Sequence, residues 1–155
     1  MRRIALVFVL LLAGCGGADD RLHVYLVDDW TGRLVPVESS VRQPRALLRE
    51  LALAKPRDGL VSELQRDTKL ESFVVRDRVA YVTLTGPRPL PQREFHLSGQ
   101  IVYTLTEHPG IDAVVLRLNG RRCCVYTKTS PSRPWPKPLD RRLFADWSGA
   151  PERKL

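Results

Sequence analysis

Cysteine, histidine and methionine are scarce in this sequence: three, three and one among 155 residues. Three cysteines are too few for a disulfide-stapled miniprotein. The histidines, His23, His96 and His108, have no second His, Cys or carboxylate at metal-ligand spacing, so no zinc motif is present. Ser39, Ser40, Ser98 and Ser148 lack the Gly-x-Ser-x-Gly context of a nucleophile elbow, and there is no glycine-rich phosphate loop. The acidic pairs Asp19-Asp20 and Asp28-Asp29 fall in polar, turn-forming stretches and read as punctuation. The longest apolar run, residues 4–12, is well short of the ~20 residues that span a bilayer. Acidic charge is also in deficit, with 17 Asp plus Glu against 25 Lys plus Arg and a formal charge of +8. These absences exclude a large enzyme, a multidomain receptor and a polytopic membrane protein. No catalytic, cofactor-binding or metal-binding set is expected. The length suits one domain with a tail.

What is present begins at the N-terminus. Arg2 and Arg3 precede the apolar run, and Leu12-Ala13-Gly14-Cys15 follows it. The pattern resembles a bacterial lipoprotein signal. A cationic start stays on the cytoplasmic side while the apolar segment engages the translocation machinery. Small residues then admit a peptidase to the backbone, and the Cys15 thiolate accepts a diacylglyceryl group as a thioether. On this reading residues 1–14 are a signal peptide and residues 15–22 a lipidated tether. The mature protein sits on the extracytoplasmic face of the cell membrane, held by at least two acyl chains, which is enough for stable anchoring. The tether reaches about 25 Å when extended, so the folded part stays close to the bilayer. Losing Arg2 and Arg3 lowers the positive charge by two, and the remaining excess favours anionic lipid or wall polymer. Nucleic acid is not an expected partner in that compartment.

Along the mature chain, residues 23–28 (HVYLVD) form a β-branched and aromatic strand, and residues 34–37 (LVPV) a second. Pro36 cannot donate to a ladder, which places this second strand at a sheet edge. Pro44 suits a first helical turn, and Leu47, Leu48 and Leu51 share one helical stripe. Residues 59–64 are expected to add a short helical turn. Residues 70–84 read as two strands around Arg76-Asp77-Arg78. Leu97, Ile101, Val102 and Leu105 recur at the spacing of a buried helix face, which His108-Pro109-Gly110 ends. His108 is expected to act structurally, as a cation at the helix C-terminus. Residues 111–118 form the last clear strand, and Asn119-Gly120 signals a hairpin returning through residues 123–126. The order β-β-α-β-β-α-β gives an α+β fold, helices packed on a mixed β-sheet.

The run Leu97-Ser98-Gly99-Gln100-Ile101-Val102-Tyr103-Thr104-Leu105-Thr106, followed by Pro109-Gly110-Ile111, resembles the GerMN domain of bacterial sporulation and spore-germination lipoproteins, in their actinobacterial type. Val24-Tyr25-Leu26-Val27, Leu34-Val35-Pro36-Val37 and Val79-Ala80-Tyr81-Val82-Thr83-Leu84 agree with it. One departure is the charged turn at Arg76-Asp77-Arg78, where the family often has a glycine. The resemblance implies a domain over residues 23–122 with no catalytic centre. It implies action by protein–protein association in the envelope, with an envelope protein or a second copy as partner. The alternative is a binding module for wall glycan or anionic lipid, with Trp30, Arg33 and Tyr25 as contact residues.

Two features lie outside that pattern. Cys123 and Cys124 are the thiols left once Cys15 is lipidated. They are either a strained, reducible vicinal disulfide or two partly buried small hydrophobes. Residues 123–155 form a C-terminal extension, whose prolines around Trp135 favour an extended strap. Leu139, Leu143, Phe144 and Trp147 then form an amphipathic short helix that Asp140 can cap. The extension either folds back over the domain or serves as a docking arm with Trp135 as a contact.

Overall fold

In the computed structural model, which describes residues 21–123 and 136–147, the first two strands form as expected. β1 (His23–Asp28) and β2 (Leu34–Glu38) pair antiparallel, with Tyr25 opposite Pro36. The turn between them is set by Asp28, whose Oδ1 accepts the N–H groups of Trp30 (2.9 Å) and Thr31 (3.0 Å). β2 is indeed an edge strand, paired with β1 alone among the described residues. The proline is tolerated there because Tyr25 turns its N–H and C=O toward a helix, not toward β2.

α1 (Pro44–Leu53) starts on its proline and buries Leu47, Leu48 and Leu51, the expected stripe. The following segment departs from expectation. Asp58 and Gly59 adopt left-handed conformations (φ 50° and 77°), and the chain doubles back into a strand, β3 (Leu60–Val61), antiparallel to β1. No helical turn forms at 59–64, because the left-handed pair reverses the chain onto the free side of β1.

β4 (Lys69–Arg76) and β5 (Val79–Thr85) make a hairpin through Asp77 and Arg78, both left-handed (φ 49° and 61°). The charged turn has a use: Arg78 donates to Asp112 from Nε (2.5 Å) and Nη2 (2.7 Å), and its C=O accepts the Asp112 N–H. Helix α2 (Pro91–Leu105) then crosses over to β6 (Ala113–Leu118), which lies parallel to β5. Asn119 and Gly120 (φ 51° and 75°) form the hairpin, and the return strand is β7 (Arg121–Arg122), earlier and shorter than expected. Cys123 still donates its N–H to Leu116 O, while residues 124–126 lie outside the described residues. The architecture is α+β, but its strands divide into a three-stranded antiparallel sheet and a four-stranded mixed sheet, β4-β5-β6-β7.

α2 joins the two sheets. It packs on β1, β6 and α1, burying Leu97, Ile101, Val102 and Leu105. Gln100, fully buried, donates from Nε2 to Tyr25 O (3.0 Å) and Val61 O (3.1 Å), and its Oε1 accepts the Glu63 N–H (2.7 Å). Thr104 Oγ1 accepts the Tyr25 N–H. These side chains complete the β1 hydrogen bonds that the two-residue β3 leaves open.

The C-terminal extension folds back. Leu139 exchanges two backbone hydrogen bonds with Val114 on β6 (2.7 and 2.8 Å), and a 3-10 helix (Arg141–Trp147) lies against α2. Asp140 Oδ1 accepts the Arg142 N–H, as a cap would. Phe144 is buried against Phe95 (ring centroids 5.0 Å apart) and Gly99. A Cβ on Gly99 would come within 3.2 Å of the Phe144 ring and 3.3 Å of Leu34, so the glycine forms the notch that seats this side chain.

Candidate interaction surfaces

The most concentrated chemistry among the described residues surrounds Glu107, just past the end of α2. Its carboxylate is buried and accepts hydrogen bonds from Tyr25 Oη (3.0 Å) and Arg141 Nη2 (2.6 Å), with His23 Nδ1 at 3.2 Å. Burial opposes ionisation of Glu107. The hydrogen bonds from Arg141, His23 and Tyr25, together with the Arg141 charge, outweigh it and hold the carboxyl below its usual range. Tyr25 is pushed up to about 12, first by burial and then by the neighbouring Glu107 charge. The Arg141 guanidinium also lies over the rings of Tyr103 (4.7 Å) and Tyr25 (5.5 Å) and donates to Tyr103 O and Thr106 Oγ1. Each group is occupied by its neighbours, so the cluster works as a clasp between β1, α2 and the C-terminal extension.

The other histidines give no catalytic arrangement. His96 Nδ1 stands 3.9 Å from Glu63 Oε1, beyond hydrogen-bond distance. Burial, aided by the Arg93 charge, lowers the His96 pKa, and burial raises that of Glu63, so both shift toward their uncharged forms. His108 Nδ1 accepts the Gly110 N–H (3.1 Å). It thereby braces the turn that follows α2. No group of three or more His, Cys, Asp or Glu among the described residues is placed to hold a metal ion.

Of the residues singled out for contact, Trp30 is 92% exposed at the tip of the β1–β2 turn, and Arg33 is exposed nearby. Tyr25 is buried and does not join them. Cys123 is buried at the sheet edge. Cys15, Cys124 and Trp135 lie outside the described residues.

The four-stranded sheet offers a further surface. Its inner face carries Ala80, Val82 and Leu84 of β5 with Val114, Leu116 and Leu118 of β6, all buried. On its outer face, cross-strand pairing aligns Val74, Tyr81 and Val115 in one row, with Val79 and Ala113 beside it. Val74 is 42% and Tyr81 44% exposed. The two sheet edges differ. β6 is covered by β7 and by the Leu139 bridge, whereas the outer edge of β4 pairs with nothing among the described residues. An apolar row next to an open eight-residue edge is the arrangement that proteins otherwise blunt.

The sequence pattern of the family described as Germane, sporulation and spore germination, matches residues 23–123. The chain belongs to this family. Its Germane fold is similar to that of the first GerMN domain of the sporulation protein GerM from Bacillus subtilis. That likeness has a TM-score of 0.62 at 21% identity and covers 79% of this chain and 98% of the other. The tandem GerMN domains of the same Bacillus subtilis protein match with a TM-score of 0.61 at 21% identity over 79% of this chain. The chain spans 46% of that two-domain structure, about half its length. No curated protein matches the sequence. At this identity the likeness establishes the Germane fold. Within it, residues 100–105 (QIVYTL) have a physical account: Gln100 and Thr104 complete β1, and Ile101, Val102 and Leu105 fill the core. No helix among the described residues is long and apolar enough to cross a membrane.

Proposed function

We propose that this Germane protein is a lipid-anchored envelope module, of sporulation and germination or accessory type, which acts without catalysis through protein–protein association near the membrane. Cys15, in its lipoprotein-type context, supplies the anchor, and the extracytoplasmic face is the site of action. One observation carries the reading: the row Val74–Tyr81–Val115 is left open to solvent beside the unpaired edge of β4. A partner that adds a strand to β4 would satisfy its backbone groups and cover Val74 and Val75 in one step. An envelope protein or a second copy of this chain fits that surface.

The test is a photo-crosslinking amino acid at Tyr81 in intact cells, with exposed Arg66 as the comparison position. A protein adduct at Tyr81, and none at Arg66, is expected, and its mass separates a second copy from another protein. Equal labelling at both positions, or none at Tyr81, would sink the association surface. The anchor is tested separately: Cys15→Ala should abolish palmitate incorporation, and retained labelling would refute it.

A further inference from the structure

From the sequence position, burial and charge of α1, we infer that its outer face docks on the anionic leaflet into which the Cys15 lipid inserts. At helical spacing, Leu47, Leu48 and Leu51 point inward, and Arg45, Arg49 and Leu53 fall within one opposite sector, with Arg42 in the extended segment just ahead of the helix. The three arginines are exposed, and Leu53 is 53% exposed. The single acidic residue of the helix, Glu50, lies on the flank and is held by the Ser39 hydroxyl. Arg45 and Arg49 form no ion pair among the described residues. The outer face of α1 is therefore uniformly basic, with one apolar side chain at its far end.

Two independent observations point to a ligand for this face. First, the charges sit against the helix dipole: α1 has no acidic residue in its first turn and no basic residue in its last, with Arg45 instead in the first turn. Local stability does not account for that placement, and attraction to an external anionic surface does. Second, the tether leaves the domain at the same end. Ser39 donates its N–H to Leu22 O, and His23 pairs with Glu38, so the chain enters β1 beside the segment that leads into α1. A bilayer reached by residues 15–22 is within reach of Arg42 and Arg45, and α1 then extends about 15 Å along it. The arginines meet lipid phosphates while Leu53 enters the headgroup layer. α1 packs on α2, and the outer face of the four-stranded sheet looks away from α2, so membrane and protein partner are bound on different sides.

This proposal rests on the anchored-module reading for its orientation, and its test does not require the anchor. The chain from residue 15 to Leu155, carrying Cys15→Ser so that no acyl chain is attached, is sedimented with vesicles. One set is phosphatidylcholine alone, and the other mixes it with phosphatidylglycerol. Binding to the mixed vesicles only is expected. It should weaken on adding salt, because the contact is screened. Each arginine near the surface is worth about fivefold, so Arg45→Gln with Arg49→Gln should weaken it by roughly twenty-five-fold. Arg66→Gln with Arg121→Gln removes the same charge from exposed sites elsewhere and should have little effect. Equal loss from both pairs, no sedimentation of the parent chain, or equal binding to both vesicle types overturns the proposal. So does capture of a soluble protein or wall polyanion through Arg45 and Arg49 without vesicle binding. Palmitate labelling at Cys15 reports on the anchor independently, so the two ideas can fail separately.

Discussion

Glu107 remains ionised in a buried position because Arg141, His23 and Tyr25 converge on it from segments far apart in the chain. This makes stability depend on pH from both sides. The folded pKa of Glu107 lies below its ordinary value of 4.5, so its contribution is present above that value and is lost as pH falls through the folded pKa. Tyr25 has the opposite sense. An unfolded tyrosine ionises near 10.0 and the folded one near 12, so its stabilisation holds below pH 10 and drains as pH rises toward 12. Denaturant midpoints measured across the alkaline range should fall steeply for the parent protein and more gently for Tyr25→Phe. Parallel slopes would contradict the assignment. Arg141→Met keeps the stem over the two rings but leaves Glu107 without its charge partner, and should lower stability by about 3 kcal/mol. None of these partnerships was legible in the sequence, because their separations of 34 to 84 residues leave no local pattern. The lone acid in Thr106-Glu107-His108 has its partners at residues 23, 25 and 141, beyond any local pattern.

Elements with a period were legible, and those without one were not. α1 and α2 declare themselves by their stripes, and β1, β2, β5 and β6 by β-branched runs. β3 has two residues, too few to show alternation, and is defined by the left-handed Asp58-Gly59 pair and by Gln100 on α2. Gln100 itself looks like an interruption of an apolar face until its three backbone partners are seen. The C-terminal helix was visible as a spacing of apolar residues, but the notch that receives it depends on Gly99, a residue with no signature of its own. That pairing is testable. Phe144→Ala should cost about 3–5 kcal/mol in chemical denaturation, as for a fully buried aromatic. Gly99→Val should loosen the 3-10 helix by crowding the same ring, seen as faster amide exchange over residues 141–147. Unchanged stability in Phe144→Ala would mean that the extension is not seated in solution.

For the molecule as a whole, the family pattern stops at residue 123, yet the hydrophobic core does not. Leu139 and Phe144 are buried alongside the core residues of β1 and α2, and Arg141 neutralises Glu107 from the same segment. The bridge at Val114 also closes the β6 edge, leaving β4 as the open one. The extension thus completes the fold and decides which edge of the sheet is left open. Ending the chain at residue 135 would remove these contacts together. The lost burial of Phe144 and Leu139 alone amounts to about 5 kcal/mol. For a domain near a hundred residues, each kcal/mol is about 4 °C, so the melting temperature should fall by roughly 20 °C. The shortened chain should also self-associate in size-exclusion chromatography, because the β6 edge and the groove over Gly99 and Phe95 are now bare. A docking arm would behave differently: its removal would leave melting unchanged and abolish only partner capture.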